Sequence, residues 1–193
     1  MSRRPAAFLD RDGVLNALVP DPASGRPESP LRPEDVRLLP GAAAAALRLA
    51  SAGFALVGVS NQPAAAKGTI SLGQLAAVQE RVLELLAAEG VRFDGFYLCR
   101  HHPDAVLAEL RGPCDCRKPA PGMLLEAAAE LDLDLERSWM IGDTDADVGA
   151  ARAAGCHAAL VENPGSVHKR GAATADLRAA DLTAAVAAIV GPR

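Results

Sequence analysis

Aromatic side chains are scarce in this 193-residue chain, 3% against 50% hydrophobic residues overall. The core must therefore be built from alanine, valine and leucine, with helices that pack closely through small side chains. A basic surplus is missing as well. The formal net charge of −4 argues against the broad cationic face that nucleic acid or a membrane surface would require, so an anionic ligand would need a local basic cluster. No apolar run reaches the ~20 residues of a membrane span, because the longest, Gly41 to Val59, is interrupted by Arg48 and by Ser51 to Gly53 and reads as helix plus strand. The run before Asp10 stops after about five residues, short of the roughly seven to fifteen of a secretory core, which predicts a cytoplasmic protein with no export signal. No Gly-x-Gly-x-x-Gly follows the first apolar run, so a dinucleotide-binding oxidoreductase ranks low. The four cysteines are too unevenly spread for a disulfide framework.

What the chain does have is alternation. Short β-like runs at Ala6 to Leu9, Phe54 to Ser60, Phe93 to Leu98, Trp139 to Ile141 and His157 to Val161 are separated by segments with helical apolar spacing. The helices are expected at Ala42 to Ala52, Leu72 to Glu89, Gly122 to Leu131, Ala146 to Ala154 and Thr183 to Ile189, with Gly53, Gly90 and Gly155 as stops. This pattern predicts one α/β domain over residues 1–193 with a parallel, Rossmann-like sheet and helices on both faces. Residues 17–35 are proline-rich and polar and read as an irregular flap, too short for a separate cap domain. The alanine-rich tail after Ala172 reads as a final helix.

Four unusual sequences follow successive strands, and the loops beyond the C-terminal ends of a parallel sheet converge on one edge. In FLDRDGVLN, Asp10 is placed to attack phosphorus and Asp12 to pass a proton to the leaving oxygen, with Gly13 turning the backbone. In VSNQ, Ser60 and Asn61 can donate hydrogen bonds to a phosphoryl oxygen, with Gln62 beside them. In CRKP, Lys118 can neutralise charge on the transferring group while Arg117 makes a bidentate contact to another phosphate. In IGDTDADVGAA, Asp143 is placed to share a hard cation with Asp10, and Asp12 adds its backbone carbonyl; carboxylates, phosphate and water suit Mg²⁺. Asp147 reads as a helix-start or supporting residue. Each motif alone has an ordinary reading as a turn, cap or solvated charge; their order after successive strands is what points to phosphoryl transfer.

A second constellation lies at 99–117. Cys99, His101, Cys114 and Cys116 offer three sulfurs and one nitrogen, a tetrahedral set for structural Zn²⁺, with His102 as the alternative nitrogen. The set ends one residue before Arg117, so a bound zinc would fix the path of the loop carrying Arg117 and Lys118. Cys156 and His157 read as core residues.

FLDRDGVLN, VSNQ, CRKPAPGM and IGDTDADVGAA, in that order, resemble the haloacid dehalogenase-like (HAD) phosphohydrolases. The Cys-x-His and Cys-x-Cys pairs followed by Arg-Lys-Pro are similar to its zinc-containing branch of heptose bisphosphate and histidinol-phosphate phosphatases. The resemblance implies the HAD fold with a minimal cap, Mg²⁺-dependent catalysis, a monomer, and a small phosphorylated sugar as partner. It also implies catalytic roles for Asp10, Asp12, Ser60 and Lys118, and substrate contacts from Arg117, the residues SNQ and Lys67. FYLCRHHPD and CDCRKPAPGMLLEAA look more like the heptose enzymes, while the long flap, SNQPAAAKG and Thr144 depart from their usual pattern. Histidinol phosphate is the alternative substrate, and a catalytically silent, zinc-stabilised metabolite-binding module is the alternative of another class.

Overall fold

The computed structural model describes residues 3–21 and 24–191, so positions 22 and 23 of the expected flap lie outside the described residues. In chain order the elements are β1 (Arg4–Leu9), β2 (Val19–Pro20), β3 (Pro27–Glu28), α1 (Ala42–Ser51), β4 (Ala55–Asn61), α2 (Leu72–Ala88), β5 (Gly95–Cys99), α3 (Gly122–Glu130), β6 (Leu133–Gly142), α4 (Asp145–Ala154), β7 (His157–Val161), β8 (Leu177–Ala179) and α5 (Leu182–Val190). Six strands form one sheet in the order β5-β4-β1-β6-β7-β8, and every neighbouring pair is parallel.

Period-two alternation places both faces of this sheet against helices. Along β1, Ala7 and Leu9 join the layer formed with α1, α2 and α5, whereas Ala6 and Phe8 join the layer formed with α3 and α4. A strand buried on both sides reads as a continuous apolar run, as parallel strands do. Alanines on α1 and α4 are buried in these layers, so the helices lie close to a core that holds few aromatic rings. Among the described residues, no helix is long and apolar enough to cross a membrane.

The position of β1 decides where chemistry can occur. The chain runs from β1 outward through β4 and β5, then returns to the other side of β1 for β6, β7 and β8. The order therefore reverses at β1, and a crevice opens beyond the carboxyl ends of its strands.

Three expectations need correction. The flap is not wholly irregular: β2 and β3 pair as a short antiparallel hairpin, Val19 with Glu28 and Pro20 with Pro27, the prolines being tolerated in a two-stranded ribbon with open edges. The tail is not helical throughout, because β8 precedes α5. Asp176 accepts the Ala158 amide at 2.8 Å and leads the chain onto the edge of β7, a long-range bond that local alanine content does not reveal. His157 is exposed rather than in the core, and its ring stacks on Trp139 with centroids 4.8 Å apart.

Candidate active site and metal centres

Asp10 directly follows β1, and its amide is tied to the neighbouring strand by a 3.0 Å bond to the Ile141 carbonyl. Its Oδ1 accepts from the Arg11 amide at 2.8 Å and pairs with Lys118 Nζ at 2.9 Å. Burial pushes the Asp10 carboxyl up to about 6, with Lys118 opposing and Asp147 and Asp12 adding to the rise. Lys118 is buried between Asp10 and Asp147 Oδ1, the latter at 2.6 Å, and donates to the Val59 carbonyl at 2.8 Å. Burial alone would lower the lysine, but the two carboxylates outweigh it and hold Lys118 above its ordinary range.

Asp12 is held differently. Arg11, with 0% of its surface exposed, donates Nε to both oxygens at 3.2 Å and Nη2 to Oδ2 at 3.0 Å. Asn16 Nδ2 reaches Oδ1 at 2.9 Å and Gln62 Nε2 reaches Oδ2 at 2.6 Å. Desolvation would raise this carboxyl, yet the Arg11 charge and the donors from Asn16, Arg11 and Gln62 win and bring it below the usual value. Asp12 therefore rests as an anchored carboxylate.

Oxygens of Asp10, Asp143 and Asp147 lie within 4.8 Å of one another. Asp147 is already engaged: its Oδ2 accepts from the Thr144 amide at 3.0 Å and hydroxyl at 2.7 Å, closing a capping box at the start of α4, while Oδ1 faces Lys118. Asp143 Oδ1 is buried without a hydrogen-bond partner. Burial and the Asp10 and Asp147 charges push Asp143 well above a normal carboxylate. Three acids against one lysine, with one orphaned oxygen, make a cradle that fits a hard divalent cation between Asp10 and Asp143. Gly13 makes this approach possible: its φ is +87°, and a Cβ there would collide with the Asp143 carboxylate.

Above these groups opens a cavity of about 340 Å³, whose wall includes Asp10, Asp12, Ser60, Lys67, Arg117 and Lys169. Asn61 is also on the wall, but its side chain clasps the Lys118 backbone, Nδ2 to the carbonyl at 2.9 Å and Oδ1 from the amide at 3.0 Å. Gln62, expected to contact a ligand, is 2% exposed and off the wall. Its amide donates to Asp12 and to Ser60 Oγ, the latter at 2.9 Å, so it supports those two residues from behind.

The second cluster forms at the end of β5. Cys99, His101, Cys114 and Cys116 bring one ligand atom each to within 4.8 Å of one another. Cys116 Sγ is 3.0 Å from Cys99 Sγ and 3.3 Å from His101 Nδ1, and Cys99 to Cys114 is 3.7 Å. His102 faces elsewhere, its Nδ1 accepting the Asp104 amide at 3.1 Å. Burial pushes Cys99 and Cys116 up, and the two neighbouring thiols add to the rise of Cys116; three neighbouring sulfurs ionise together only around a cation. The donor set fits a borderline-soft tetrahedral ion.

Three polar residues near the cavity escaped the sequence reading. Arg11 lies between the two acids of FLDRDG, and nothing local reveals that its guanidinium turns inward. Ser166 and Lys169 sit in a 3₁₀ turn, Pro164–Lys169, after β7. The convergence of loops at the carboxyl edge would have flagged them, because β7 belongs to the same sheet.

Comparison with known proteins places relatives over most of the chain. A family profile described as HAD-hydrolase-like matches residues 115–188. A D-glycero-β-D-manno-heptose-1,7-bisphosphate 7-phosphatase of Rhodopseudomonas palustris is 41% identical, the alignment covering 79% of this chain and 81% of that one. Its counterpart in Yersinia pestis is 39% identical, with 89% and 88% covered. The crystal structure of D,D-heptose 1,7-bisphosphate phosphatase from B. bronchiseptica complexed with magnesium and phosphate superposes with a TM-score of 0.79 at 30% identity, covering 96% of this chain and 98% of that one.

Gly13→Ala tests the close approach. Positive φ combined with the collision at Asp143 is expected to lower stability by about 2 kcal/mol in urea unfolding, and to weaken divalent-cation binding about tenfold or more by calorimetric titration.

Proposed function

Because this chain belongs to the HAD-like phosphatases, we propose that it removes the C7 phosphate of D-glycero-D-manno-heptose 1,7-bisphosphate through an aspartyl-phosphate on Asp10. The observation that carries the reading is the joint burial of Asp10, Lys118 and Asp143 at one crevice edge, beneath a cavity whose outer wall adds Lys67, Arg117 and Lys169. Relatives named for this substrate support the choice of sugar, and the β anomer in their names is the first form to assay.

Oδ1 of Asp10 is engaged by Lys118 and the Arg11 amide, so Oδ2 is the attacking oxygen. It bonds to phosphorus as the bond from phosphorus to the C7 oxygen breaks. Asp12 rests ionised, and the negative charge of an incoming phosphoryl group raises its affinity for a proton, so that it takes one up from solvent as the substrate binds. It delivers that proton to the leaving sugar oxygen, then takes one from water as the water oxygen attacks phosphorus and releases Asp10. Lys118 neutralises charge on the transferring group and Ser60 donates to one of its oxygens. Asn61 keeps Lys118 in place through its backbone. The Asp10 and Asp143 carboxylates, with the Asp12 carbonyl, would hold Mg²⁺. When bound, that ion offsets repulsion between Asp10 and the dianionic phosphate.

Cys99, His101, Cys114 and Cys116 would hold structural Zn²⁺, anchoring the segment that delivers Arg117 and Lys118. Arg117 Nη1 donates to the His101 carbonyl at 3.3 Å, a direct tie between this loop and the cavity wall. Arg117 is assigned the second phosphate of the bisphosphate, with Lys67 beside it.

Asp10→Asn is expected to lower kcat by about a thousandfold or more in a phosphate-release assay; near-wild-type turnover with Mg²⁺ would refute the nucleophile. The substrate is tested by parallel kcat/KM measurements on heptose 1,7-bisphosphate and histidinol phosphate, the bisphosphate being favoured. No phosphate release from either, or from an aryl phosphate, would favour a binding module instead.

A hydrogen bond to a charged group contributes about 1.5–3 kcal/mol, so Arg117→Ala should raise KM for the bisphosphate about tenfold to a hundredfold while leaving an aryl monophosphate nearly unaffected. Equal losses on the two substrates would remove Arg117 from phosphate recognition.

Cys114→Ser should deplete bound zinc in elemental analysis and lower the thermal midpoint by several degrees, since metal binding energy contributes to folding. Unchanged zinc content would break the proposed ligand set.

A further inference from the structure

The turn after β7 contributes a group to the acidic cradle. Ser166 is 1% exposed, and its hydroxyl donates to Asp143 Oδ2. The other oxygen of the same carboxylate, Oδ1, is the buried atom without a hydrogen-bond partner.

The turn that carries Ser166 is fastened at three points. Asn163 accepts the Gly165 amide on Oδ1 and donates from Nδ2 to the Gly13 carbonyl, both at 2.9 Å, which joins the turn to the loop of Asp10 and Asp12. Gly165 packs so closely on the flap that a Cβ there would lie 2.9 Å from Leu18 Cδ1 and 3.1 Å from Pro27 Cβ. At the far end Lys169 Nζ pairs with Glu28 of β3 at 2.7 Å. A hydroxyl mounted on so constrained a turn presents its proton in one direction.

We propose that Ser166 is a positioning residue for the divalent cation, holding Asp143 by Oδ2 so that Oδ1 is turned toward the ion. The physical reason is rotational. A carboxylate is free to turn about its Cβ–Cγ bond, and beside Asp10 and Asp147 the repulsion would swing it away from the position a shared cation requires. A hydrogen bond to one oxygen removes that freedom before the ion arrives. Groups that orient metal ligands in this way affect metal affinity by about 10–100-fold. A serine that only satisfied a buried carboxylate would affect folding instead.

This inference rests on the reading that Asp10 and Asp143 hold Mg²⁺. Calorimetric titration of wild type, Ser166→Ala and Ser166→Cys with Mg²⁺ alone, beside the unfolding midpoint of each metal-free protein, separates the two. The expected result is a Kd weaker by about tenfold or more in Ser166→Ala with a nearly unchanged metal-free midpoint. Activity should return when Mg²⁺ is raised, because the substitution leaves the reacting atoms untouched. Ser166→Cys, similar in shape with a weak donor, should fall between serine and alanine, and it carries the test should the alanine variant not fold. A Kd within about twofold of wild type in the folded variants would overturn the role of Ser166 while leaving the cation site standing. Wild-type protein that takes up no Mg²⁺ would overturn the cation site itself, and this proposal with it.

Discussion

Like charge confined at the carboxyl edge of the sheet, where the ends of β1 and β6 meet the start of α4, is the constraint from which the rest follows. Asp10, Asp143 and Asp147 present oxygens within 4.8 Å of one another in a place water barely reaches. At an effective dielectric of about 20, two unit charges about 4 Å apart interact by about 4 kcal/mol, an energy comparable with the stability of a small domain. Lys118 offsets part of this repulsion by touching both Asp10 and Asp147. Burial first, and the remaining repulsion after it, raise the Asp10 and Asp143 carboxyls. Such an arrangement of acids favours a divalent cation between them.

The surrounding parts can be understood as devices that keep the acids from separating. Strand β1 lies between β4 and β6, and Asp10 is bonded through its amide to β6. Gly13 leaves room for Asp143, Asn61 clasps Lys118, and Asp147 is fixed by the capping box of α4. Arg11 performs the opposite service for Asp12. By surrounding that carboxylate with donors it keeps Asp12 ionised next to an acid whose proton affinity is raised. Two aspartates two residues apart are thereby held in different environments, Asp10 against a lysine and two further acids, Asp12 within a shell of donors.

The cysteine cluster works at a distance from the reacting atoms. It joins the end of β5 to the segment immediately before Arg117 and Lys118, where the chain has little regular structure of its own. A loop with few buried apolar residues would gain its shape from a metal held by these four side chains, and this one leads directly to the lysine at the centre of the charge balance.

Residue pattern alone determined a good deal. Apolar runs ending in FLDRDG, VSNQ and IGDTDAD marked three strands and placed their polar ends on one edge, because in a parallel sheet strand direction and loop position are linked. Cys-x-His and Cys-x-Cys marked, by short local spacing, three cysteines and a choice of two histidines as a cluster that the fold brings together. Tertiary structure alone decided which atoms those residues meet. That Gln62 faces Asp12 rather than the cavity, that Arg11 points inward, that His101 and not His102 joins the sulfurs, and that Ser166 reaches Asp143 across 23 positions all depend on contacts between segments distant in sequence or on side-chain rotation. Periodicity is a property of neighbouring residues; the direction of a hydrogen bond is settled only when the sheet brings separate loops together.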